Sequence, residues 1–204
     1  MTDPRSQQAD LAQATAGDWP YMPGLLRLEL DQYLADAARS DLHHLPTRCP
    51  SWTVREVTVH LLCTFTRFHL LLDQGRAGDF TPPFPVEQLG AANRRAVRDY
   101  RGADPCQELR SVVEDFTASL ADGDELMPHQ LGPIPVALQV LFGINELAIH
   151  HDDVAAAAGR RYQPLPETLG VLLVLWRRRH GEGITTWQAI LRASGRTTSV
   201  TSSE

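Results

Sequence analysis

The long apolar stretch at residues 136–158 is interrupted by a carboxylate and an imidazole four residues apart, Glu146 and His150. Prolines precede this stretch and Gly159 follows it, which is typical of a single long helix. On a helix, residues i and i+4 project from one face, so both side chains can reach one cation. Burying an unpaired carboxylate costs several kcal/mol, and stability alone rarely selects it. The pair therefore predicts a metal site on a buried helix face.

A third candidate ligand, His60, lies far upstream on a helix whose start is marked in the sequence. Thr53 and Glu56 have the spacing of a capping box, which predicts that a helix begins there. His60 falls on the apolar stripe of that helix, so we expect it to face the core. With Glu146 and His150 it would form a two-histidine, one-carboxylate set, which is known for catalytic zinc. Alternatively, the histidines are ordinary core residues and Glu146 is their hydrogen-bond partner.

Helical periodicity continues through the rest of the chain, and no segment shows a strand pattern. Apolar spacing and capping residues predict helices at residues 23–40, 53–74, 86–101, 104–120, 136–159 and 167–180. Gly75 is the expected stop of the second helix, and Asp104 with Pro105 marks the start of the fourth. The fold class that follows is an all-α bundle with accessory helices.

The chain length of 204 residues suits one domain with a sizeable core. Residues 1–20 are polar and aperiodic, so we expect a flexible N-terminal extension there. The helical domain is expected at residues 21–198, and residues 199–204 are expected to form a disordered tail.

Charge and composition exclude several classes of function. The net charge of −6 argues against nucleic-acid binding, which needs a basic face. No apolar run is long enough to cross a membrane, and the first residues lack the apolar core of a signal peptide, so we expect a cytoplasmic protein. Three cysteines without paired spacing predict no disulfide framework. The 19 basic residues are all Arg, a bias that points to a GC-rich genome.

Three segments resemble a known family. Residues 49–61 read Cys-Pro-Ser-Trp-Thr-Val-Arg-Glu-Val-Thr-Val-His-Leu, residues 146–153 read Glu-Leu-Ala-Ile-His-His-Asp-Asp, and residues 187–196 read Trp-Gln-Ala-Ile-Leu-Arg-Ala-Ser-Gly-Arg. They are similar to signatures and to the closing segment of the mycothiol-dependent maleylpyruvate isomerase family. That family belongs to the DinB-like superfamily of metal-binding four-helix bundles.

The resemblance implies that His60, Glu146 and His150 bind a divalent metal, usually zinc. It also implies mycothiol as the thiol cosubstrate, and a homodimer is plausible for bundles of this kind. A divalent cation lowers the pKa of a bound thiol, which then reacts as a nucleophile near neutral pH. The leading hypothesis is a metal-dependent thiol S-transferase or thiol-assisted isomerase that uses a metal-bound thiolate on an electrophilic small molecule. Alternatives are a hydrolase that uses metal-bound water, or a binding protein without catalytic activity, with or without a metal.

Several neighbouring residues allow two interpretations. Asp153 is the candidate catalytic residue, because it could accept a hydrogen bond from His150 and fix its tautomer; it could equally cap the helix or form a salt bridge at the helix end. His151 should face elsewhere, since it is rotated about 100° around the helix. Cys63 is either a buried hydrophobe or a metal neighbour, and Gly143 is expected to leave open space above the metal. Four arginines form either a solvated face or an anchor for an acidic substrate: Arg94, Arg95, Arg98 and Arg101.

Overall fold

The computed structural model describes residues 19–49, 51–130 and 132–196. Within these residues the α-helices are α1 (Met22–Ala37), α2 (Val54–Arg76), α3 (Leu89–Asp99), α4 (Pro105–Ser119), α5 (Val136–Ala157), α6 (Pro166–His180) and α7 (Trp187–Ala193). Two short strands, β1 (Leu126–Met127) and β2 (Ile134–Pro135), pair antiparallel between α4 and α5. Short 3-10 helices occupy Trp19–Tyr21, Ser40–Leu42 and Val86–Gln88.

Four helices form the central bundle. Helix α1 packs against α5 and α4, and α2 packs against the same two helices, so that the apolar faces of all four meet in one core. Fully buried side chains from each helix fill it, among them Leu26, Phe65, Phe116 and Leu141. Helix α3 lies on α2, α6 lies on α5, and α7 lies on α6. This arrangement confirms the predicted all-α bundle with accessory helices.

Two helix starts form through the predicted local contacts. The Thr53 backbone N–H donates to Glu56 Oε2 at 2.8 Å, and the Glu56 N–H donates to Thr53 Oγ1 at 3.3 Å, which completes the capping box of α2. Asp104 accepts hydrogen bonds from the N–H groups of Cys106 and Gln107 at the start of α4. Because these contacts span at most three residues, the sequence alone predicts them.

Gly75 is not the stop of α2, contrary to the prediction. The helix continues to Arg76, and Gly75 lies on its buried face. A Cβ atom on Gly75 would lie 2.5 Å from the carbonyl oxygen of Leu126 in β1. Gly75 is therefore required by the close approach of the two-stranded sheet, which the sequence analysis did not predict, and not by the helix end.

The predicted helix at residues 86–101 is divided. Its first turn is the 3-10 helix Val86–Gln88, and the α-helix is limited to Leu89–Asp99.

In the part of the chain that the structure describes, no helix combines the length and the apolar character needed to span a bilayer.

The predicted termini are described only in part. Residues 1–18 and 197–204 lie outside the described residues, so the extension, the tail and the domain limits stay predictions. Trp19 and Pro20, which were assigned to the extension, belong to a 3-10 helix. The Trp19 ring packs so closely against Gly123 that a Cβ atom there would lie 2.5 Å from Trp19 Cδ2.

Candidate metal centre

The structure brings the three candidate ligands together at one place between α2 and α5. His60 Nε2 lies 3.3 Å from Glu146 Oε2, and His150 Nε2 lies 3.7 Å from the same oxygen. One donor atom of each residue lies within 4.8 Å of the other two. The histidine side chains are each 7% exposed, whereas Glu146 is 34% exposed, so the centre opens beside Glu146.

These distances fit a small divalent cation. Ligand atoms bound tetrahedrally at about 2.1 Å from zinc lie about 3.4 Å apart. The two separations to Glu146 Oε2, 3.3 and 3.7 Å, lie on either side of this value, and the donor atoms of the two histidines lie within 4.8 Å of each other. Two imidazoles with one carboxylate also form a donor set that zinc accepts, and three protein ligands leave a position open. The chain therefore supplies a donor set of suitable chemistry and spacing for a divalent metal ion.

The protonation states of His60 and Glu146 also suit metal ligands. Burial lowers the pKa of His60, and its hydrogen bond to Glu146 offsets this only in part, so the neutral imidazole is favoured. Burial by itself would raise the pKa of Glu146, but the hydrogen bond from His60 and electrostatic interactions with the neighbouring histidines lower it to about 2. At neutral pH the centre therefore offers a neutral imidazole and an anionic carboxylate.

Asp153 fixes the orientation of His150. Its side chain is fully buried, and its Oδ2 accepts a hydrogen bond from His150 Nδ1 at 2.9 Å. His150 Nε2 is therefore left directed towards Glu146. His60 Nδ1, in contrast, is buried without a hydrogen-bond partner in the described part of the chain. Of the two histidines, His150 is therefore the one whose second ring nitrogen, Nδ1, is held by a carboxylate.

Two residues of the centre were not identified as functional from the sequence. Arg196 donates hydrogen bonds to both oxygens of Asp153, from Nη2 at 2.8 Å and from Nε at 3.2 Å. Trp52 covers His60, with ring centroids 4.9 Å apart. Neither contact has a local signal, because each depends on how separate segments pack.

His151 and Cys63 are not members of the ligand group. His151 Nε2 donates instead to Asp36 Oδ2 at 3.1 Å, on the side of α5 that faces α1, as its helical position predicts. Cys63 is half-buried, and burial raises the pKa of its thiol. Gly143 leaves no open space, because a Cβ atom there would lie 3.0 Å from Phe65 and 3.4 Å from Leu26.

The four arginines of the predicted helix at residues 86–101 face solvent. Arg94, Arg95 and Arg98 lie on α3 and Arg101 follows its end, and all four are exposed. A different arginine, Arg67, lies two turns after His60 on α2 and is half-buried. Its guanidinium donates to Asn93 Oδ1 at 2.9 Å and lies 5.4 Å from the centre of the Phe84 ring. Among the described residues no carboxylate forms an ion pair with it.

Comparison with known proteins agrees with this architecture. A crystal structure of the mycothiol-dependent maleylpyruvate isomerase matches with a TM-score of 0.56 and 16% sequence identity, over 76% of this chain and 67% of that chain. This likeness confirms the expected DinB-like helical fold. No curated protein sequence matches the chain. The family model described as the mycothiol maleylpyruvate isomerase N-terminal domain matches residues 25–155. Because this match covers more than half of the sequence and includes all three candidate ligands, the chain belongs to the mycothiol maleylpyruvate isomerase family.

Proposed function

We propose that this protein is a metal-dependent thiol S-transferase or thiol-assisted isomerase that acts on an electrophilic small molecule. His60, Glu146 and His150 hold one divalent cation, with zinc preferred for this donor set. The proposal rests on the convergence of these three donors at one place, where the side chain of Glu146 is partly exposed. Family membership supports mycothiol as the thiol cosubstrate. The proposal places the protein in a mycothiol-containing cytoplasm, and the expected homodimer stays a prediction.

The bound cation would supply Lewis acidity, which lowers the pKa of a thiol enough for it to react near neutral pH. The protein's own residues prepare the site. His60 and Glu146 are held in the protonation states that ligation needs, and Asp153 acts as a positioning residue for His150. Trp52 packs against one face of His60.

A specific observation favours a thiol over water as the nucleophile. A metal-dependent hydrolase usually needs a separate general base near the open position. Besides Glu146, which is itself a proposed ligand, Asp153 hydrogen-bonds to a ligand histidine, but it is fully buried and bound to both His150 and Arg196. It is therefore occupied by structural contacts and is not available to accept a proton from water.

The experiment that tests the proposed function is metal analysis coupled to a thiol assay. We expect protein purified without an affinity tag to contain about one divalent ion per chain by mass spectrometry, as three protein ligands in one centre imply. Zinc-loaded protein should then consume mycothiol or isomerise substrates in a panel of electrophiles, and chelated protein should not. Turnover of esters or amides without thiol would indicate the hydrolase instead. Failure to take up zinc would leave a metal-independent binding protein.

Arg67, which forms no ion pair with a carboxylate among the described residues, indicates what kind of electrophile binds. Burial lowers the pKa of Arg67, and Cys63 and Glu146 offset this only in part, so the guanidinium is poorly solvated. Arg67 lies on the same helix as His60, two turns further along. Arginine forms two-point hydrogen bonds with carboxylates. We propose that Arg67 binds an anionic group of the electrophile.

Replacing Arg67 with methionine should therefore raise KM for a carboxylate-bearing electrophile by roughly tenfold or more, the usual size of a lost charged hydrogen bond. KM for the methyl ester of the same compound should change little, and the metal content should stay the same. Steady-state kinetics on the acid and ester pair provides the measurement. Arg94→Met, on the exposed face of α3, is the matched control. Equal effects on acid and ester would rule out this role for Arg67.

A further inference from the structure

Arg196 lies outside the residues that the family model matches, 25–155, yet it contacts the metal centre through Asp153. Its side chain is 18% exposed and that of Asp153 is fully buried. The guanidinium engages both carboxylate oxygens, which is the two-point geometry that fixes a carboxylate in one orientation. The oxygen that Arg196 binds more closely, Oδ2, is the one that accepts the hydrogen bond from His150.

The end of α7 places Arg196 at this position. Gly195 adopts a left-handed conformation with φ of +83°. The N–H of Gly195 bonds to the carbonyl of Arg192, and the N–H of Arg196 bonds to the carbonyl of Leu191. These are the two hydrogen bonds of a Schellman motif, which reverses the chain at a helix end. The backbone of Arg196 is therefore held by the helix cap while its side chain extends to α5.

The position of α7 is in turn fixed by the core. Trp187, Ile190 and Leu191 are buried almost completely, so the short helix is held by apolar packing. Docking of this C-terminal segment, the orientation of Asp153 and the orientation of the His150 ring thus form one chain of contacts. The hydrogen bonds that Asp153 accepts from Arg196 and His150 are all shorter than 3.3 Å.

We infer that Arg196 is a positioning residue of the metal centre, through which the docked C-terminal segment fixes Asp153 and thereby the ring of His150. A buried carboxylate that loses its cationic partner no longer has a single preferred orientation, and its hydrogen bond to His150 Nδ1 weakens. The matched domain alone, residues 25–155, would then lack a group that the centre needs for tight metal binding. This inference rests on the proposed function for its metal-binding readout only.

The test uses the full chain with Arg196→Gln, Arg196→Lys, Asp153→Asn and the double variant Arg196→Gln with Asp153→Asn. In metal-free protein, ¹⁵N NMR of the imidazoles should show His150 protonated at Nδ1 in the wild type and a mixture of tautomers in Arg196→Gln. Zinc affinity, measured by competition with a chromophoric chelator, should fall about tenfold in Arg196→Gln, the lower range for loss of a contact behind a metal ligand. Arg196→Lys should recover part of that affinity.

A double-mutant cycle separates positioning from general destabilisation. If Arg196 acts through Asp153, the double variant should bind zinc no more weakly than Asp153→Asn, within about a factor of two. Arg160→Gln is the control, because Arg160 forms an ion pair with Asp36 away from the centre; it should leave the tautomer of His150 unchanged. Unchanged tautomer and zinc affinity in Arg196→Gln, or additive losses in the cycle, would overturn the inference. If wild-type protein bound no zinc, the proposed function would fail, and the tautomer measurement would still decide the role of Arg196.

Discussion

Replacing His150 with glutamine is expected to abolish metal binding, while the same replacement at His151 is expected to preserve it. His150 Nε2 lies 3.7 Å from Glu146 Oε2 in the candidate centre, and its loss removes one of three protein ligands. His151 is adjacent in sequence and equally buried, but it donates to Asp36. Mass spectrometry should detect bound zinc in wild type and His151→Gln, and almost none in His150→Gln.

Stability measurements on His150→Gln and His151→Gln distinguish loss of a metal ligand from loss of the fold. The ring of His151 packs on Tyr162 with centroids 4.0 Å apart, so His151→Gln should cost about 1 kcal/mol of unfolding free energy from the lost ring contact. Circular dichroism and urea denaturation would show whether both variants fold. Retention of zinc by folded His150→Gln would exclude His150 as a ligand, and loss of zinc from both folded variants would show that the effect is not local to the centre.

Replacing Gly75 with alanine is expected to destabilise the protein by about 1–3 kcal/mol, the usual cost of overpacking. In an exposed helix the same change stabilises, because alanine has the higher helix propensity. Here the added methyl group would lie 2.5 Å from Leu126 O and 3.1 Å from Met127 Cα. Both are backbone atoms of β1, so neither can move aside without displacing the strand. Urea denaturation gives the free energy of unfolding.

Gly170→Ala is the matched control for this prediction. Gly170 lies inside α6, and a Cβ atom added there would have no neighbour within 4 Å. The control should stabilise the protein by about 0.5–1 kcal/mol through helix propensity alone. Opposite signs for the two glycines would show that packing against β1 decides the outcome at Gly75. A stabilising Gly75→Ala would mean that the strand does not approach α2 this closely.

The local parts of the structure were predictable because their causes are local. The capping box of Thr53 and Glu56, and the cap at Asp104, depend on contacts within three residues. The two-stranded sheet escaped prediction because each strand has only two residues, too few for an alternating pattern. Because the sheet was not predicted, the prediction for Gly75 was also wrong. In sequence, a glycine at a helix end cannot be distinguished from a glycine that packs beneath a strand.

The sequence by itself placed Glu146 and His150 on one helix face, because the helical repeat alone relates residues four apart. It also placed His60 on the apolar face of another helix. Only the tertiary structure could bring His60 within 3.3 Å of a carboxylate 86 residues away. Likewise, only packing of α7 carries Arg196 to Asp153, 43 residues apart. Helical periodicity fixes directions within one helix, whereas distances between helices depend on how the whole core packs.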